Sequence, residues 1–177
     1  MTKKEYPFFI PPLYLAEKGR WKWSAKEAKD YRFWLLDSID QRINGLLDYF
    51  NESYDALPEE LLLSIGEKVA IAFKEEPFSE LLDGEIDLTN QGRALAADLG
   101  LLVASFLLKA HPDKVTWKTI RKPKRDASYN LPVLIGFGKM YFDPVGGAIS
   151  EAYGIIEGKN KSKIWLESYE QWSDLVK

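Results

Sequence analysis

The chain has no cysteine. Disulfides, thiolate metal sites and cysteine nucleophiles are therefore excluded, and so is a secreted module held together by disulfides. Histidine is almost as scarce, His111 being the only one. Any Ser-His-Asp relay would have to use it, and multi-histidine metal sites cannot be built. His111 stands before Pro112 at an expected helix end, where capping free carbonyls is the plainer reading. No apolar run reaches the roughly 20 residues of a bilayer crossing. No signal-peptide stretch precedes Pro7. Internal repeats and low-complexity segments are lacking too, and the expected location is the cytoplasm.

What is present is ample apolar material. Of 177 residues, 46% are hydrophobic and 14% aromatic, six of them Trp, enough for one ordinary domain with a sizeable core. The longest apolar stretch, Ala94 to Leu108, carries one charge, Asp98. A helix apolar all round has no solvent face and belongs inside a core. The sequence predicts an α+β, mainly α-helical single domain over 1–177, built around a central helix at about 89–110. Thr89 or Asp87 would cap that helix.

Residues 1–23 read as an extended N-terminal arm packed on the body, because Pro7, Pro11 and Pro12 oppose a regular helix. In it, Trp21-Lys22-Trp23 alternates, which predicts both indoles on one face. Ser24 with Glu27 forms a capping box, and a long helix with an apolar stripe should run to about Asn51–Tyr54. Pro58 with Glu59 and Glu60 opens a second helix. Residues 75–88 read as an acidic connection, with Leu81-Leu82 a turn of helix inside it. A small β hairpin or sheet is expected at about 115–120 and 131–137. Gly136-Phe137-Gly138-Lys139 lacks the spacing of a phosphate loop and reads as a strand-end turn. Asp143-Pro144 opens a further helix, and a last one places Trp165, Tyr169, Trp172 and Val176 on one stripe.

The net charge is only −3, but it is unevenly placed. Residues 37–87 sum to −11, whereas 1–36 and 88–177 each sum to +4. Glu75, Glu76, Glu80, Asp83, Glu85 and Asp87 fall in one stretch with no base among them. A charge run is usually a solvated face, but an acidic surface can also meet a basic protein, speeding encounter and selecting the partner. Asp83-Gly84-Glu85-Ile86-Asp87 does not have the ligand pattern of a Ca²⁺ loop. The basic loop Arg121–Arg125 lies near Trp117 and Tyr129. As a single short loop it reads as solvated, or as an intramolecular counterpart to the acids, and nucleic-acid binding is disfavoured. Asp98 has two readings: a buried structural acid paired with Arg or Lys, or a pocket acid with a shifted pKa.

Trp23–Tyr31 with Phe33-Trp34, Asp98-Leu99-Gly100, Pro112 then Trp117, Asn130–Leu134 with Gly136-Phe137, Pro144-Val145, and Trp165, Tyr169, Trp172 form a recognisable set. Together these stretches resemble small bacterial proteins of the polymorphic-toxin immunity type. The likeness covers about two-thirds of the chain and lies in packing and turn residues, with no active site to carry over. It implies a non-enzymatic cytoplasmic immunity factor that neutralises a basic toxin, such as a nuclease. The six acids at 75–87 would then be the partner-binding residues. No catalytic residue, cofactor or metal is assigned. Two other classes remain open. One is an enzyme or small-ligand binder with a pocket around Asp98, using Trp117, Tyr129 or His111. The other is a structural or regulatory oligomerisation module built on the C-terminal Trp/Tyr stripe.

Overall fold

A computed structural model of the protein describes residues 6, 7 and 10–177. Expectations for the arm that concern residues 1–5, 8 and 9 lie outside the described residues. The described elements run α1 (Leu13–Ala16), α2 (Ala25–Phe50), α3 (Pro58–Ala72), β1 (Ser79–Leu82), β2 (Glu85–Leu88), α4 (Asn90–Ala110), β3 (Thr116–Thr119), β4 (Pro132–Phe137), β5 (Met140–Phe142), α5 (Pro144–Ile156) and α6 (Ile164–Asp174). This is the α+β, mainly helical architecture expected, with two small antiparallel sheets.

Helix boundaries follow local chemistry. Ser24 accepts from the Glu27 N–H, and the Glu27 carboxylate accepts from the Ser24 N–H, so both halves of the capping box are present. Asn51 ends α2 in the left-handed region, a conformation Asn tolerates better than most residues. Pro58 stands in the first turn of α3. Thr89, not Asp87, caps α4 by accepting from the Gly92 N–H, and Asp143 does the same for α5 at Gly146.

The central helix is α4. Nearly every residue from Ala94 to Leu107 is buried, Ser105 being the partial exception. It packs against α2, α5 and α6, and it contributes to both apolar clusters, with Leu101 in the smaller one around Leu15, Trp23, Tyr31 and Leu35. Gly100 makes the α5 crossing possible: a Cβ there would fall 1.7 Å from the Pro144 carbonyl oxygen.

Three expectations are corrected. The arm at 1–23 is not extended throughout its described residues, because Leu13–Ala16, just beyond Pro12, form one helical turn. Trp21 and Trp23 do not share a face. Arg20–Lys22 form one 3₁₀ turn, in which successive side chains rotate by about 120° instead of alternating. Trp23 is buried and donates its indole N–H to the Leu15 carbonyl at 3.0 Å, whereas Trp21 is half exposed. Nor is the acidic connection at 75–88 a loop with a turn of helix at Leu81-Leu82. β1 and β2 form a hairpin, with Glu80 opposite Asp87, Leu81 opposite Ile86 and Leu82 opposite Glu85. The second sheet, in the order β3-β4-β5, covers the expected strands and adds β5 after the Gly138 turn.

Candidate functional site

The β1–β2 hairpin turns at Asp83 (φ 52°) and Gly84 (φ 88°). Two consecutive positive φ values make the tight two-residue turn whose twist matches a hairpin. Its base is fixed on the body. Phe78 packs edge-on against Tyr49 and Tyr6, Leu88 is buried, and the Phe78 carbonyl approaches α4 where only Gly92 leaves room. β2 lies against α4 and α5.

The tip extends past this base. Side chains two apart on a strand share a face, so Leu81 and Ile86 continue the face that Ser79 and Leu88 bury below. At the tip that face is open: Leu81 is 74% exposed and Ile86 47%. Leu82 is also exposed. Around these three stand the exposed carboxylates of Glu80, Asp83 and Glu85, with exposed Glu75 and Glu76 on the approach from α3. Glu75, Glu80, Asp83 and Glu85 enter no ion pair with a described cation.

Asp87 differs from its five neighbours. It accepts from the Tyr153 hydroxyl and faces Arg93 at 3.5 Å. These contacts, the Tyr153 hydrogen bond foremost, hold its carboxyl below the usual range. Asp87 thus ties the hairpin to α4 and α5, and Glu75, Glu80, Asp83 and Glu85 stay exposed and outside any ion pair with a described cation.

Asp98 lies elsewhere and is fully buried. Arg42 of α2 grips both its oxygens, through Nε to Oδ1 and through a terminal nitrogen to Oδ2 at 2.8 Å. The Tyr6 hydroxyl of the arm donates to Oδ2 at 2.5 Å. Burial pushes the Asp98 carboxyl up to about 6, and the Arg42 and Tyr6 contacts pull it only partly back. Burial beside Asp98 also raises the Tyr6 hydroxyl well above its ordinary value. The triad joins arm, α2 and α4. None of the groups paired with Asp98 in the pocket reading reaches it. His111 caps α4 and meets the Ser173 hydroxyl at 3.1 Å, Trp117 offers its carbonyl to Arg32, and Tyr129 stacks on Trp21. Arg42 also lines an open cleft of about 770 Å³ beside Trp34, Ser38 and Gln41. A ligand there would meet a guanidinium already neutralised by Asp98.

The C-terminal stripe is used within the fold. Trp165 is fully buried, Tyr169 packs edge-on against Phe106, and Trp172 packs against Phe137 and Phe142. The basic loop does not meet the acidic hairpin. It lies against the 3₁₀ turn at 20–22, as the Arg20 guanidinium donates to the Ala127 carbonyl at 2.9 Å.

Sequence reasoning missed the hairpin and both partners of Asp98. Each had a signal. Asp83-Gly84, with Leu81-Leu82 before it and Ile86 and Leu88 alternating after it, is a strong short-range hairpin mark. Arg42 falls on the Leu35, Ile39, Leu46 stripe of α2, a lone cation on an apolar face. Tyr6 had no comparable signal. Among the described residues no cluster of three or more His, Asp or Glu could hold a metal ion, and no helix is long and apolar enough to cross a membrane. The chain matches no family model, no curated protein and no solved structure.

Proposed function

We propose that the chain is a non-enzymatic binding protein of the immunity type, which neutralises a basic protein toxin by docking the β1–β2 hairpin on it. The observation that carries this reading is the exposed tip, where Leu81, Leu82 and Ile86 stand among Glu80, Asp83 and Glu85. Protein interfaces are commonly built this way, with an apolar centre that supplies affinity and a polar rim that selects and steers. The rim carries only negative charge, so the complementary partner is basic. A nuclease fits, because its substrate-binding face must be cationic, and covering that face would block its activity. The resemblance to immunity proteins points the same way from different residues.

The test is growth rescue and pull-down with basic nuclease toxin domains, beginning with any that is encoded beside this gene. Wild type should rescue growth and bind. Glu80→Lys/Asp83→Lys/Glu85→Lys should slow association about tenfold or more and flatten its salt dependence. Leu81→Ser/Ile86→Ser should act mainly on dissociation. If the charge-reversed protein associates as fast as wild type, the charge part of the proposal is wrong. If both variants still bind and rescue fully, the hairpin is not the docking element.

A further inference from the structure

A second charged surface arises from two segments about 100 residues apart in sequence. The chain at 19–24 and the loop at 120–130 are joined by several contacts. Asn130, fully buried with φ +68°, donates to the Arg20 carbonyl at 2.6 Å and to the Trp23 carbonyl at 3.2 Å. Arg121 donates to the Asn130 side-chain oxygen and reaches the Ser24 carbonyl. Trp21 lies parallel to the buried Tyr129, with ring centroids 6.1 Å apart and 6° between planes. The result is one basic pad made of Arg20, Lys22, Arg121, Lys122, Lys124 and Arg125. None of these six enters an ion pair with a described acid. Trp21, 50% exposed, stands among them with the Arg20 guanidinium 4.6 Å from its ring centroid.

We infer that this pad binds single-stranded nucleic acid. Unpaired cations alone accept any polyanion. The half-exposed indole among them favours nucleic acid, because every base offers a flat π surface to an aromatic ring and an acidic peptide does not. The loop alone was a weak sign of this, being short and isolated in sequence. The structure adds Arg20, Trp21 and Lys22 to it and leaves its charges unneutralised by the hairpin. This inference does not depend on the proposed docking of a basic toxin. The hairpin base is reached at Tyr49, and α2 separates that point from Ser24 by about 38 Å at 1.5 Å per residue.

The test is fluorescence anisotropy of the full-length protein with labelled oligothymidylate of roughly 12 nucleotides, titrated against salt. Binding should fall with salt at a log–log slope of about −3, as for four to five phosphates at 0.7 each. Lys122→Glu/Lys124→Glu/Arg125→Glu, all at exposed loop positions, should weaken binding at least tenfold and make the slope shallower by about 2. Trp21→Leu should weaken binding while leaving the slope almost unchanged. The hairpin charge variant should bind the oligonucleotide as wild type does. The inference is overturned by no binding at low salt, by equal binding of polyglutamate of the same charge, or by a loop triple variant that still binds as wild type.

Discussion

Asp98 shows how one buried carboxylate organises its surroundings. Its side chain is fully buried and that of Arg42 is 10% exposed. Removing one member of such a pair strands the other charge in the interior, which costs about 3–5 kcal/mol. Asp98→Ala should therefore lower unfolding free energy by that amount, as read by urea denaturation. Asp98→Leu/Arg42→Met should recover much of the loss, since the stranded charge is gone.

The pH response follows from the same residue. In the folded protein Asp98 holds its proton up to about 6, against an ordinary value of 3.8. Glu151, partly buried between α5 and α6, is pushed up to about 7 by burial, against an ordinary 4.5. Between these limits the folded state binds more protons than the unfolded one, so stability falls as pH rises. The loss begins near pH 4 for Asp98 and is complete near pH 7, whereas for Glu151 it runs on to about pH 8. Glu27, Glu52 and Asp87 are shifted down and act in the opposite sense, at lower pH. Thermal melts from pH 5 to 8 should show the decline, and Glu151→Gln should remove its upper part. A flat profile in that range would refute the assignment.

At the scale of elements, the hairpin is separable from the core. A Cβ at Gly84 would touch nothing, yet its φ of +88° is strained for any other residue. Gly84→Val should cost about 1–2 kcal/mol locally and weaken partner binding, while the global unfolding midpoint moves by only a few degrees. The capping box is the opposite case, since it starts the longest helix. Ser24→Ala should cost about 1 kcal/mol, a shift of roughly 2–4 °C in Tm for a chain of this size. Hydrogen exchange would separate the two, with faster exchange confined to 79–88 in the first variant and spread over the first turns of α2 in the second.

Across the whole molecule, charge is sorted into two surfaces held apart by α2. Along α2, the distance from Ser24, beside the pad, to Tyr49, beside the hairpin base, is about 38 Å at 1.5 Å per residue, several times the Debye length of about 8 Å at physiological salt. Charge reversal at one surface should leave association at the other unchanged, and calorimetric titration of each partner against both variants checks this. A basic protein on the hairpin and an oligonucleotide on the pad should bind together without competing.

Much of the fold was legible because it depends on local chemistry. The capping box of α2, the proline start of α3, the apolar run of α4 and the change of period at β3 are all written within a few residues. The hairpin was legible too, through Asp83-Gly84, but the density of carboxylates hid it. The site was much less readable. Acidity between 75 and 87 is visible in the chain, yet only the structure separates Asp87, held by Tyr153 and Arg93, from Glu80, Asp83 and Glu85 at the exposed tip.

The sequence by itself determined helices α2 to α6, the buried place of α4, and the presence of a carboxylate there that needed a partner. It determined how much charge of each sign the chain carries and in which segments. The tertiary structure alone decided what that carboxylate meets, since Tyr6 and Arg42 lie 92 and 56 residues away from it. It also decided that the basic loop joins the turn at 20–22 and not the acids. The physical reason is the same in both cases. Periodicity and capping act over one or two helical turns, whereas pairing between distant segments is set by how the packed helices bring them together.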